Sequence, residues 1–163
     1  MTQKKDLAIL KTGVNVFLTG EPGSGKTHTI NEYVAYLRRR KIEPAVTAST
    51  GIAATHISGM TVHSWSGIGV KEKLDKYALD SIVSIERIVK RIENTQILII
   101  DEISMLSADT LFMVDSVCRE IRRSPDLAFG GLQVIFVGDF FQLPPIGRGG
   151  QARFAYDCPA WIA

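Results

Sequence analysis

Two hydrophobic rhythms alternate along the chain: short, nearly continuous apolar runs, and longer stretches in which apolar residues return every three or four positions. The first predicts strands and the second helices. Val14 to Thr19 is the first run, and it leads directly into glycines at Gly20, Gly23 and Gly25. From Thr27 to Arg40 the residues Ile30, Val34 and Leu37 recur at helical spacing. Arg38, Arg39 and Arg40 stand where cations favour a helix C-terminus, which explains this basic run more simply than a DNA contact does. Pro44 introduces a second strand, Ala45 to Ser49, followed by Thr50, Gly51 and a short Ala-rich helix containing Ala53 and Ala54. Ser58 to Gly69 reads as a loop. Between Lys71 and Asn94 the positions Leu79, Ile82, Ile85, Ile88, Val89 and Ile92 predict an amphipathic helix, preceded by a charged, exposed excursion. Ile97 to Ile100 is uninterrupted apolar sequence, as expected of a strand covered on both faces. Asp109 to Arg123 is helical, with Leu111, Val114, Val117 and Ile121 on its core face and Cys118 packed beside them. Gly130 and Gly131 turn the chain into a fourth strand, Leu132 to Val137.

This alternation defines an α/β domain with a mainly parallel central sheet and helices on both faces. The unusual residues gather at the C-terminal ends of the four predicted strands, the edge where open α/β sheets bind ligands. With 163 residues, 45% hydrophobic and 22% charged, the chain suits one domain with a sizeable core and excludes collagen and long disorder. A net charge of +2 is too slight to imply a nucleic-acid or membrane partner by itself. Cys118 and Cys158 make no disulfide framework and show no metal-ligand spacing. Reduced thiols, with neither a spanning segment nor a signal peptide, point to the cytoplasm, or to the nucleus or mitochondrion in a eukaryote.

Gly20, Glu21, Pro22, Gly23, Ser24, Gly25, Lys26 and Thr27 fit G-x-x-x-x-G-K-[ST] between a predicted strand and a predicted helix. The glycines free the turn to aim successive N–H groups at a phosphate on the helix N-terminus. Lys26 would bridge the β- and γ-phosphates of a nucleoside triphosphate, and the Thr27 hydroxyl would ligate Mg²⁺. An ordinary Gly-rich turn is the competing reading. Asp101 and Glu102 end the third strand: Asp101 suits the metal, and Glu102 suits activation of the attacking water. A solvated strand end is the alternative. Gln142 can donate and accept at once, and reads either as a γ-phosphate sensor or as a loop amide.

Taken together, Gly13 to Thr29, Thr50 to Gly69, Asp101 to Leu106 (DEISML) and Gly130 to Ile146 (GGLQVIFVGDFFQLPPI) resemble the first four motifs of the petite-integration-frequency family of DNA helicases, relatives of RecD in the class B branch of helicase superfamily one. Leu106 to Arg123 resembles the family's signature segment, and Arg153 to Trp161 its sequence just past the Gly-Asp-Phe motif. The resemblance implies a RecA-like P-loop domain that binds ATP and Mg²⁺ through Gly20 to His28. It also implies service in DNA repair, recombination and telomere maintenance. Gln3, twelve residues before Asn15, matches the position that reads adenine, unless the terminus frays there. Thr50, Gly51 and His63 match positions on the single-stranded DNA track. His63 has a loop-bracing alternative, and Trp65 suits packing better than stacking on a base. Residues 67–94 fall where the family carries a small wedge between duplex strands, here short. The family needs a second RecA-like domain to close the ATP site and supply an arginine finger. Because the sequence stops at Ala163, the resemblance implies a truncated product or a fragment that binds ATP and hydrolyses it slowly, the missing charge being worth about 10³ to 10⁵ in rate. Arg148 and Arg153 suit loop surfaces better than that finger role. The whole helicase would move 5′ to 3′ on single-stranded DNA and open duplex junctions. A nucleotide-dependent switch and an oligomeric P-loop ATPase are the alternatives, and no membrane partner is expected.

Overall fold

The computed structural model describes residues 2–145 and 153–161. Five parallel strands form one sheet: β1 (Val16–Leu18), β2 (Ala45–Ala48), β3 (Met60–Thr61), β4 (Ile97–Asp101) and β5 (Gln133–Val137), in the order β1-β5-β4-β2-β3. Ile99 sits opposite Val46 on one side and Ile135 on the other, which puts β4 at the centre, between β2 and β5. Alternation along these strands divides the core. Ile97, Ile99, Ile135 and Val137 enter one apolar layer, while Leu98, Ile100, Val134 and Phe136 enter the other. Each fully buried aliphatic side chain contributes roughly 2 kcal/mol.

The smaller layer is covered by α1 (Gln3–Lys11) and α2 (Lys26–Arg39), through Leu10, Ile30, Tyr33, Val34 and Leu37. The larger is covered by α4 (Val62–Ser66), α5 (Lys76–Val83), α6 (Glu86–Glu93) and α7 (Ala108–Ile121). A further helix, α3 (Gly51–His56), follows β2. Both cysteines are buried, and burial pushes both thiols up from their ordinary range. Among the described residues no helix is long and apolar enough to cross a membrane.

Several elements differ from the sequence expectation. The first strand keeps only three of the six residues from Val14 to Thr19, and Gln3–Lys11 adds a helix before it. The stretch 58–69, expected as loop, contains β3 and α4, whose Val62 and Trp65 are buried together with Ile68. The single helix expected up to Asn94 is two, parted at Ser84 and Ile85. Residues 67–94 do not stand apart from the domain, because Ile82, Ile88 and Ile92 are buried in the larger core. Arg91 fastens α6 to the end of α4 by donating to the carbonyls of Ser64 and Trp65, at 3.2 and 3.1 Å.

Candidate phosphate-binding site

The glycine-rich turn joins β1 to α2. Gly23 and Gly25 lie in the left-handed region at φ 80° and 91°, and Gly25 is the N-cap of α2. That backbone leaves the first N–H groups of a 14-residue helix unpaired and aimed outward, where the helix dipole favours an anion. Lys26 folds its ammonium back over the turn and donates to the carbonyls of Gly20 and, at 3.2 Å, Glu21. These neutral acceptors are partners that a phosphate oxygen would replace with a stronger, charged one. At Gly20 and Gly25 a Cβ would meet the tips of neighbouring side chains, and at Gly25 the left-handed backbone itself favours glycine. A Cβ on Gly20 would lie 2.6 Å from Ser24 Oγ, and one on Gly25 would run into the side-chain amide of Gln3. Gln3, at the start of α1, is thereby set directly against the phosphate turn.

Across the cleft stand the ends of β4 and β5. Asp101 closes β4, and its Oδ1 accepts from the Glu102 N–H at 2.8 Å. Glu102 itself is left-handed, φ 53° and ψ 45°, an uncommon place for a residue with a Cβ. Its carbonyl accepts from Ser49 Oγ at 2.7 Å, which fixes the bend. Burial raises the Asp101 carboxyl above the ordinary range, against the opposing pull of the Glu102 N–H and the Lys26 charge. Glu102 is raised by burial and further by Asp101, again opposed by Lys26. Two partly buried carboxylates set side by side on one cleft with a lysine gain from a second cation.

A cleft of about 430 Å³ joins Lys26, Thr27 and His28 with Asp101, Glu102, Gly138 and Gln142. The sequence-predicted phosphate, acid and glutamine positions thus meet in one space. His28 is exposed, with Nε2 3.6 Å from the Glu32 carboxylate. Among the described residues no group of three or more His, Cys, Asp or Glu is placed to hold a metal. The donor set suits Mg²⁺, which takes one or two protein oxygens and completes its shell with phosphates and water. Thr27 and Asp101 are the oxygens that fit.

A second groove, about 840 Å³, opens on the other side of Glu102 and Gln142. Thr50 lines it with Ile52, Ala53, His56, Phe141 and Leu143. Ile52 is 78% exposed and Phe141 100%, an apolar display that periodicity did not reveal because Ile52 stands on the six-residue helix α3 and Phe141 on a turn. Thr50 Oγ1 is the N-cap of α3, accepting from the Ala53 N–H at 3.2 Å, and Gly51 beside it is open. His63 is on α4, half-buried and outside this groove, and burial holds its imidazole below the ordinary range. Arg153 is ion-paired to Asp109 at 2.8 Å, and Arg148 and Ile146 lie outside the described residues.

A parallel sheet whose first strand runs through a glycine-rich turn into a helix, with an acid pair at the tip of β4, one strand removed from it across β5, is the design of RecA-like P-loop domains. Residues 2–158 match the family of PIF1-like helicases, and the chain belongs to that family. It is 52% identical over 165 residues to the ATP-dependent DNA helicase Pif1 of Psychrobacter sp., covering 99% of this chain and 25% of that protein. The crystal structure of Pif1 helicase from Candida albicans superposes with a TM-score of 0.90 at 36% identity, over 98% of this chain and 36% of the other. The Bacteroides Pif1 helicase in complex with ADP-AlF3 and single-stranded DNA gives a TM-score of 0.75 at 32% identity, over 96% of this chain and 38% of that one. The chain therefore spans about a quarter of the length of the curated relative and little more than a third of the solved ones.

Proposed function

We propose that this chain is the ATP-binding motor domain of an ATP-dependent DNA helicase, one RecA-like domain working against a second that supplies an arginine finger. The observation that carries this reading is the single cleft joining Lys26, Asp101, Glu102 and Gln142. The Gly20–Thr27 turn and the α2 N-terminus bind the polyphosphate, and Lys26 exchanges its carbonyl partners for the β- and γ-phosphate oxygens. Mg²⁺, held by Thr27 and Asp101, would neutralise charge on those oxygens. Glu102, raised by burial and by Asp101, orients the attacking water and takes its proton. Gln142, at the junction of both grooves, reports the γ-phosphate to the neighbouring surface. Gln3, whose amide lies against Gly25, would read the adenine edge.

Single-stranded DNA is the polymer we assign to the second groove, where Thr50 and Gly51 offer a hydroxyl and open backbone to a phosphodiester. His63, half-buried on α4 and outside that groove, would meet the strand only beyond it, with an imidazole that burial holds below its ordinary range. Support comes from the Bacteroides relative, which holds single-stranded DNA together with ADP-AlF3. Movement 5′ to 3′, opening of duplex junctions and slow hydrolysis by the lone domain complete the proposal.

The test is nucleotide binding and turnover. Lys26→Ala is expected to abolish ATP binding, whereas Glu102→Gln should keep it and lower turnover by about 10² to 10⁴. With a second motor domain joined in cis, single-stranded DNA should stimulate ATP hydrolysis. A joined protein whose ATPase ignores DNA would overturn the motor reading and leave only a nucleotide-binding module.

A further inference from the structure

Ser104 lies two residues beyond Glu102, in the short 3-10 turn Ile103–Met105. The residue is 1% exposed. Among the described residues, its hydroxyl is the one buried side-chain polar atom without a hydrogen-bond partner. Cores do not keep such a group without reason, because an alanine would fill nearly the same volume with no lost bond to water.

Its surroundings suggest the reason. A Cβ built on Gly138 would lie 3.1 Å from the Ile103 nitrogen and 3.6 Å from the Ser104 nitrogen, so the turn is pressed against the tip of β5. Next to Gly138 is Asp139, itself buried. Its Oδ1 accepts from the Phe141 N–H at 2.9 Å, and its carbonyl accepts from the Gln142 N–H at 3.1 Å. Asp139 therefore shapes the turn that carries Gln142, while its Oδ2 has no donor among the described residues. A spare buried donor thus lies on the turn packed against Gly138, one residue before a carboxylate oxygen that no described protein group donates to on the Gln142 side.

We propose that Ser104 is a positioning residue whose hydroxyl donates to Asp139 when a γ-phosphate draws the Gly138–Gln142 turn into the cleft, locking Glu102 and Gln142 into one geometry. The bond is unmade without the triphosphate and made with it, so it acts as a latch between the water-activating carboxylate and the sensor. It rests on the nucleotide reading of the cleft given above.

The experiment compares the wild-type chain with Ser104→Ala, Asp139→Asn and the double variant. Dissociation constants for ADP and for the imido analogue of ATP are measured with Mg²⁺ by calorimetry, alongside the thermal midpoint without nucleotide. For Ser104→Ala the nucleotide-free midpoint should stay or rise, ADP affinity should hold within about twofold, and the imido analogue should weaken by about tenfold. The double variant should lose no more discrimination than the single ones, the mark of a shared bond. The latch is overturned by an unaltered analogue-to-ADP ratio, by independent losses from Ser104 and Asp139, or by a nucleotide-free Ser104→Ala chain that is destabilised or fails to fold. A wild-type chain that binds neither nucleotide removes the phosphate reading and the latch with it. Wild-type binding with an unchanged Ser104→Ala ratio removes the latch alone.

Discussion

Asp101 and Glu102 are held where their charges are least welcome, and this has a measurable consequence. Burial raises both carboxyls, so between the ordinary carboxylate range and the raised folded value the folded, nucleotide-free chain holds protons that the unfolded chain has released. The contribution of this pair to stability therefore falls as pH rises through that window and stays low above it. Asp101→Asn should remove part of that slope while still accepting from the Glu102 N–H, which leaves the variant at least as stable as wild type near neutrality. Thermal midpoints from about pH 4 to about pH 7 would show it; parallel curves for the two proteins would count against it. At this scale the sequence located the lysine, the acid pair and the glutamine, because their spacing is tied to the ends of local elements. It left Gln3 between a frayed end and a base reader, and only the packing of α1 beside α2 sets that amide against Gly25. Ser104 and Asp139 were invisible, since a missing partner is a fact of tertiary structure.

The connection from α7 to β5 is tightly constrained. Phe129 and Gly130 both take left-handed conformations, φ 52° and 63°. They are held there by Asp115, whose Oδ1 accepts from the buried Phe129 N–H at 2.6 Å while Arg119 Nε donates to both carboxylate oxygens. Arg122 ties the same turn to α6 through the carbonyls of Gly130 and Ile92, at 2.8 and 3.3 Å. A Cβ on Gly130 would lie 2.6 Å from the Cys118 carbonyl oxygen. Gly130→Ala is accordingly expected to cost at least about 3 kcal/mol in chemical denaturation. Asp115→Ala, which strands the buried Phe129 N–H and leaves Arg119 its bond to the Pro125 carbonyl, should cost about 2 to 3 kcal/mol. Losses below about 1 kcal/mol in both would show that the turn is held by other means. The sequence marked this turn by its paired glycines but gave no sign of the carboxylate beneath it. Periodicity also recovered every strand longer than two residues, and it failed where elements are short or abut: β3 and α4 span seven residues together, and α5 and α6 share one apolar stripe across the break at Ser84.

Across the whole molecule, the segment after the glutamine loop returns to the sheet through aromatic rings. Trp161 stacks on Phe136 at 4.4 Å with planes 3° apart, and meets Phe17 and Phe140 edge-on at 5.2 and 5.8 Å. Phe140 belongs to the same stretch as Asp139 and Gln142, so this cluster joins the phosphate cleft to the last described turn. Trp161→Ala should lower stability by about 3 kcal/mol and loosen the imido-analogue complex more than the ADP complex. Equal effects on the two would confine the cluster to a packing role. The α/β class, the parallel sheet and the functional edge were legible because strand, turn and helix follow one another in sequence. The second groove was not, because it is made of side chains that meet only where β2 and β5 end.

The motor reading and the Ser104 latch both depend on the turn before α2 receiving a polyphosphate with its ammonium opposite an acid-held metal. The direct measurement is calorimetric titration of the chain with the Mg²⁺ complex of the imido analogue of ATP, repeated for Lys26→Ala, Asp101→Asn and Glu102→Gln. The predicted result is saturable one-to-one binding by wild type and Glu102→Gln, loss in Lys26→Ala, and in Asp101→Asn binding that no longer responds to Mg²⁺. Equal binding by wild type and Lys26→Ala, or none by wild type, would contradict it.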